Sequence, residues 1–318
     1  MENIKLSIVI PVYNVQDYLA DCLESVYDVN EQSKEIIIIN DGSTDNSAFI
    51  IEQYKNKYPL QTQVITQHNQ GLSAARNAGI NASKGKFILF LDSDDTLESE
   101  PVFNLIQFAC DNDLDILQGV ATKFGDVPKE QLSMPQDVFD YPICNGRDFL
   151  NKYGNSSSIA KKNFRPEAWL MLVKRDLFIK NNIYFTEGMY FEDELMTPTL
   201  YLNANKVKAL DMPFYNYRIR AGSITSVFNE KHIASKALLV KEYYSLLAKS
   251  NFYHSFLNGR LIGWCRESEE YLSIKDVAKL FFLRKYRFKD LLLLNMILIK
   301  KVMNFGRFKN VKDALNVK

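Results

Sequence analysis

The sequence predicts an α/β protein: an open, mostly parallel sheet flanked by helices, followed by a helical C-terminal extension. Three observations carry that expectation. Apolar runs alternate with helically periodic segments from Leu6 to Val120, the rhythm of βαβ units. The runs are nearly continuous, as in strands buried on both faces of a sheet. The first four end in polar clusters, and open parallel sheets bind ligands outside the carboxyl ends of their strands.

Leu6–Val12 is the first strand, closing on Pro11-Val12-Tyr13-Asn14. Asn14 is placed to cap the next helix, whose Tyr18, Leu19, Cys22, Leu23 and Val26 recur at helical spacing. Glu35–Asn40, with four isoleucines in succession, is the second strand, and a helix follows from about Ser47 to Tyr58. Val64-Ile65 marks a short third strand, Gly71–Ala82 an alanine-rich helix and Phe87–Leu91 the fourth strand. Pro101–Cys110 reads as a helix and Leu114–Val120 as a fifth strand. Gly125–Ser158 contains three prolines, three glycines and a serine run, a loop-rich excursion with a short helix near Gly146–Tyr153. Regular structure resumes over Phe164–Phe185, and from about Glu230 the chain is helical. The division this suggests is 1–228, itself in halves of about 1–124 and 125–228, and an extension over 229–318.

Hydrophobic residues make up 47% of the chain and charged residues 24%, the proportions of a folded globular protein. A net charge of +1 excludes a whole-molecule polyanion binder, so no nucleic acid is expected as a partner. The charge is unevenly spread. Lys275–Lys318 holds twelve Lys/Arg and three Asp/Glu, a net of +9, which leaves −8 on the remainder. A basic tail predicts an anionic surface as its partner. The longest dense apolar run, Leu291–Ile299, is far short of the roughly 20 residues that span a bilayer. The first residues read as a strand rather than a signal peptide. The expectation is a cytosolic protein, with 275–318 lying peripherally on the inner face of the cell membrane. A homo-oligomer is left open. The four cysteines form no CxxC pair and read as scattered reduced thiols.

Three stretches point to chemistry. Asp92-Ser93-Asp94-Asp95 sets three carboxylates in four residues directly after a buried strand. Their repulsion needs compensation, and a hard cation such as Mn²⁺ or Mg²⁺, shared with diphosphate oxygens, supplies it. The alternative is a solvated turn whose aspartates cap the next helix. In Asn40-Asp41-Gly42-Ser43, Gly42 permits a tight turn and Asp41 is placed to accept hydrogen bonds from a base or ribose, or simply to serve the turn. In Asn69-Gln70-Gly71-Leu72-Ser73-Ala74-Ala75-Arg76, small residues allow close helix–sheet packing. Arg76 is either a cation for a nucleotide or phosphate or an exposed helix arginine. No GxGxxG or Walker A pattern is present, which counts against dinucleotide oxidoreductases and P-loop NTPases.

In combination SIVIPVYN, IIIINDGSTDNS, NQGLSAARNAGI, FILFLDSDD, Phe191-Glu192-Asp193 and YNYRIRAGSI resemble a family 2 glycosyltransferase with the GT-A fold. The likeness covers roughly residues 4–226. It implies an inverting transferase that moves a hexose or N-acetylhexosamine from a nucleotide-diphosphate sugar, most simply a UDP-sugar, to a hydroxyl of a glycan or lipid-linked acceptor. It makes the two halves of 1–228 nucleotide-binding and acceptor-side. By the same resemblance Asp41 and Arg76 contact the nucleoside, Pro11 and Tyr13 line the base pocket, and Asn69 belongs to the donor site. Asp92 sits near the ribose and metal, Ser93 belongs to the nucleotide-sugar site, Asp94 holds Mn²⁺ or Mg²⁺ on the diphosphate, and Asp193 is the general base, with Glu192 beside it. Arg218, Arg220 and Ser223 lie where relatives close over the donor or acceptor. The residues agree with such a division. A leaving diphosphate needs charge neutralisation on one side of the sugar and the attacking hydroxyl a carboxylate on the other, so base and metal site must come from different parts of the chain. A nucleotidyltransferase, which needs a glycine-rich basic loop after the first strand, and a non-catalytic nucleotide-sugar-binding protein are the competing readings.

Overall fold

A computed structural model describes residues 4–31, 33–155, 166–220, 229–250, 255–281 and 288–303. Four strands form a parallel ladder in the order β3-β2-β1-β4. They are β1 (Leu6–Val12), β2 (Lys34–Asn40), β3 (Thr62–Thr66) and β4 (Phe87–Phe90). Helices α1 (Leu19–Asp28), α2 (Ser47–Lys57) and α3 (Leu72–Ala82) connect them. Every residue of β1 and β2 is buried, which is why both read as unbroken apolar runs. The chain winds from β1 out to β3, then returns to the other side of β1 for β4. The winding therefore reverses between β1 and β4, where open α/β sheets place their ligand crevice. Register puts Val12, Asn40 and Thr66 level. β4 ends opposite Val9, so the Leu91–Asp95 segment leaves the sheet beside the end of β1.

The rest of the sheet is mixed. β8 (Met171–Lys174) runs antiparallel to both β4 and β6 (Ile116–Gly125), and β6 runs parallel to β9 (Val207–Ile219). β5 (Thr96–Leu97) and β7 (Glu130–Leu132) add short antiparallel edges on β9 and β6. The expected fifth strand is thus β6, shifted toward Gly125, and β5 was too short to announce itself in the sequence. The helix expected at Pro101–Cys110 is α4 (Ser99–Asp111). The excursion after Gly125 holds α5 (Gln136–Phe139) and α6 (Gly146–Asn155) besides β7. Beyond it come α7 (Arg175–Asn181) and α8 (Asp193–Asn203). The extension supplies α9 (Glu230–Ser250), α10 (Ser255–Glu267), α11 (Ile274–Leu280) and α12 (Phe288–Met303). Val240, Ile262, Val277 and Leu294 from these four helices are buried in the same apolar core as the sheet.

One local expectation is corrected. Asn14 does not cap α1, because four residues intervene before the first helical residue and Tyr18 occupies the cap position. Asn14 lies at φ 51° and accepts a hydrogen bond from Thr44 N at 2.8 Å. It ties the end of β1 to the turn after β2.

Gly79 sets the approach of α3 to β1. A Cβ there would lie 2.1 Å from Val9 Cγ1. Gly79→Ala is expected to cost about 1–3 kcal/mol by overpacking, read as a lower urea midpoint with unchanged slope. An unaltered midpoint would show that α3 has room to retreat.

Candidate active site

The turn after β4 divides the three aspartates by environment. Asp95 is 1% exposed; it accepts from Tyr215 Oη at 2.7 Å and from Arg218 N at 2.7 Å. Burial first, then Asp92 and Asp94, push its carboxyl up to about 8. It clamps the turn to β9. The same Tyr215 oxygen accepts from Asp92 N at 3.1 Å, and Trp169 stacks on Tyr215 and Tyr217 with centroids 4.4 and 5.4 Å away. Ser93 is buried. Asp92 and Asp94 remain 26% and 22% exposed. The sequence shows three equivalent carboxylates; Tyr215 and Trp169 tell them apart, and neither announces that role in sequence.

Arg76 is the electrostatic centre of the site. Its side chain is 2% exposed. Nη2 donates to Asp92 Oδ1 at 2.8 Å, and Nη1 to Glu192 Oε1 at 2.7 Å and Asp193 Oδ1 at 3.3 Å. Its guanidinium lies 5.2 Å from the Phe185 ring centroid. Burial alone would lower its pKa, but Asp92, Asp193 and Glu192 outweigh that and hold it above the ordinary arginine range. The guanidinium joins the end of β4 to the start of α8. The small residues that let α3 pack close are what bring it there.

Asp193 is fixed at both oxygens. Oδ1 meets Arg76, and Oδ2 accepts from Ala168 N at 3.2 Å. Burial pushes its carboxyl well above the ordinary carboxylate range; Arg76 opposes this and Glu192 adds to it. A carboxyl held in place and raised by burial is equipped to take a proton.

At the other strand ends, Asp41 is 3% exposed. Oδ1 accepts from Gln67 Nε2 at 2.7 Å and Gln70 N at 2.9 Å, and Oδ2 from Gly71 N at 2.8 Å. It orders the turn into α3 rather than standing open in the crevice. Gly42 (φ 74°) has no room for a side chain, since a Cβ would lie 2.8 Å from Asn69 N. Pro11 is buried, while Tyr13 and Asn69 are exposed on the same rim.

Two arginines from the end of β9 reach back to the turn. Arg218 Nε donates to Asp94 O at 2.8 Å and Nη2 to Asp21 Oδ2 at 3.0 Å. Arg220 Nε donates to Asp94 Oδ2 at 2.7 Å and sits 4.9 Å from the Tyr18 ring. Ser223 lies outside the described residues. Among those described, no group of three or more His, Cys, Asp or Glu could hold a metal unaided. Asp92 and Asp94 are nonetheless two hard, partly exposed carboxylates, each with one oxygen on an arginine. That donor set suits a cation that takes one or two carboxylates and completes its shell on substrate oxygens.

Comparison with known proteins agrees with this architecture. The model of Glycosyl transferase family 2 matches residues 7–176. Glycosyltransferase YibD of Escherichia coli is 32% identical over 228 residues, covering 71% of this chain and 64% of that protein. Glycosyltransferase GlyA of Streptococcus pneumoniae is 32% identical over 257 residues, covering 78% of this chain. The chain spans only 35% of the latter's length. Among solved structures, Staphylococcus aureus TarS 1–349 in complex with UDP-GlcNAc superposes with a TM-score of 0.65 at 21% identity, covering 96% of this chain and 94% of that one. It shares the fold.

Proposed function

The chain belongs to glycosyl transferase family 2, and from that premise we propose an inverting transferase that moves a hexose or N-acetylhexosamine from a UDP-sugar to a hydroxyl of a glycan or lipid-linked acceptor. The single observation that supports it best is the pair of carboxylate sites bridged by one buried arginine: Asp92, two residues before Asp94, after β4, and Asp193 at the start of α8. The donor class follows the UDP-GlcNAc of the TarS complex.

In this reading the nucleoside lies over the ends of β1–β3, with Pro11, Tyr13, Asp41 and Asn69 around it, and Ser93 beside the ribose. Asp92 and Asp94 are the residues that would hold Mn²⁺ or Mg²⁺, and the cation would supply Lewis-acid neutralisation of the leaving diphosphate. Arg220, now on Asp94, is the side chain that exchanges a carboxylate for phosphate oxygens. Asp193 takes the proton of the acceptor hydroxyl as that oxygen attacks the anomeric carbon from the face opposite the diphosphate. Arg76 keeps Asp193 oriented. Glu192 is its second anchor on Arg76.

Activity is expected to vanish in EDTA and to return with Mn²⁺ or Mg²⁺, and Asp94→Ala to mimic the chelator. Release of UDP from UDP-glucose and UDP-GlcNAc reads both; full activity in exhaustively chelated buffer would refute the metal assignment.

We also propose that 275–318 meets an anionic membrane surface. The segment carries a net charge of +9 in sequence, Met296 and Ile299 of α12 are exposed at 66% and 59%, and basic, apolar helices lie in the headgroup region. No described helix is long and apolar enough to cross a membrane. Full-length protein is expected to sediment with anionic and not neutral vesicles, and less as salt rises. Protein left in the supernatant at low salt would defeat the proposal. Truncation at 274 is the wrong test, since Val277, Leu280, Leu294 and Ile297 belong to the core.

A further inference from the structure

Glu192, Asp193 and Glu194 follow one another at the start of α8, and their counter-charges come from two separate parts of the chain. Glu192 and Asp193 share Nη1 of Arg76, at 2.7 and 3.3 Å. Glu194 Oε1 pairs instead with Arg260 Nη2. Arg260 stands on α10, in the extension that lies outside the residues matched by the family model. The ion pair is largely buried, with Glu194 16% and Arg260 24% exposed. The guanidinium lies 5.5 Å from the Trp264 ring, and Trp264 in turn meets Tyr243 of α9 edge-on at 5.1 Å. Arg260 also feels Glu167, whose neighbour Ala168 donates its N–H to Asp193 Oδ2.

We propose that Arg260 is a positioning residue for the transfer reaction and that the C-terminal extension thereby completes the active site. The proposal rests on Asp193 being the base. Three adjacent carboxylates cannot all stay ionised in a shielded place without matching cations. Arg76 already serves Asp92, Glu192 and Asp193. With Arg260 on Glu194, the hydrogen bond from Arg76 to Asp193 is left undisturbed. Without it, Glu194 competes for Arg76, and the base loses the contact that aims Oδ1. The named partners of Arg260, Glu194 and Trp264, stand on α8 and α10, and the donor side is built on β1, β2 and the turn after β4, so the expected effect falls on turnover and not on nucleotide affinity.

The test uses the full chain with Arg260→Met, Arg260→Lys, Glu194→Gln and the double variant Arg260→Met/Glu194→Gln. Turnover is the release of UDP from UDP-glucose and UDP-GlcNAc with Mn²⁺, and affinity is that for UDP with Mn²⁺ by calorimetry. Arg260→Met is expected to lower kcat at least about ten-fold, since small misplacements of a reacting group are costly, with UDP affinity kept. Arg260→Lys should fall between it and wild type. The double variant should recover most of the lost kcat, because it removes both charges and frees Arg76 again. A purely packing role would leave the double variant as slow as Arg260→Met, because the contact with Trp264 is lost in both. That result, a wild-type kcat in Arg260→Met, or a parallel loss of UDP affinity would overturn the proposal. If Arg260→Met does not fold, Arg260→Lys and the double variant decide it by the same criteria. Asp193→Asn runs alongside. An active Asp193→Asn sinks the base assignment, whereas an inactive one beside an active Arg260→Met sinks only the role of Arg260.

Discussion

Asp193→Asn is expected to lower sugar transfer by about 10²–10⁴-fold, the usual cost of losing a general base, while leaving the affinity for UDP with Mn²⁺ nearly unchanged. The amide keeps the shape and can still accept from Ala168 N–H, which meets Asp193 at 3.2 Å, but it cannot take the acceptor's proton. Arg76 retains Asp92 and Glu192 in this variant, so the fold should survive. The wild-type pH profile carries a second signature. Burial, with Glu192 adding, holds the Asp193 carboxyl well above the ordinary carboxylate range. The base must be ionised, so the rate should fall as pH drops through that raised value. The acid limb is therefore expected above the ordinary aspartate range, and Asp193→Asn should abolish it. A limb at the pKa of a free aspartate, or near-normal transfer by Asp193→Asn, would remove Asp193 from the mechanism.

Arg76→Met is expected to damage both the fold and the reaction. The substitution removes the cation shared by Asp92, Glu192 and Asp193, whose side chains are only 26%, 10% and 16% exposed. Breaking a buried ion pair from one side costs about 3–5 kcal/mol, because the remaining charges stay buried and unpaired. Denaturant titration should show that loss at neutral pH, with transfer gone even where the protein remains folded. Arg76→Lys should recover part of the stability but little activity, since an ammonium cannot bridge the turn after β4 and the start of α8 as a planar fork does. A loss below about 1 kcal/mol would mean that Arg76 is a surface charge and not the centre of the site.

The parallel ladder was legible because β1 and β2 are buried on both faces and so appear as unbroken apolar runs. The polar strand ends were legible for the same reason, as abrupt breaks in those runs. The mixed half was harder. β5 is two residues long and β8 four, too short for periodicity, and both exist because β9 and β4 offer them edges to pair with. At the site, the carboxylate run after the fourth strand put Asp92 and Asp94 forward, and the family resemblance put Asp193 forward. It left Arg76 open between a ligand cation and an exposed helix residue, and burial among three carboxylates is a property of packing that no local pattern reveals. The same holds for Asp41, whose three hydrogen-bond donors from residues 67–71 are supplied by a turn that only the fold brings near. Arg260 carries no motif at all. Its partner Glu194 lies 66 residues away, and only the packing of α10 beside α8 brings the two together.

The account is tested most directly by the anomeric configuration of the sugar released. Full-length protein with Mn²⁺ and a panel of UDP-hexoses and UDP-N-acetylhexosamines, sampled by proton NMR before mutarotation, uses water as the acceptor and needs no knowledge of the natural one. If the acceptor oxygen, activated by Asp193, attacks opposite the diphosphate, an α-linked donor must first yield the β-sugar, and Asp193→Asn must release it about 10²–10⁴-fold more slowly. Early appearance of the α-sugar, or equal release by Asp193→Asn, would contradict the mechanism.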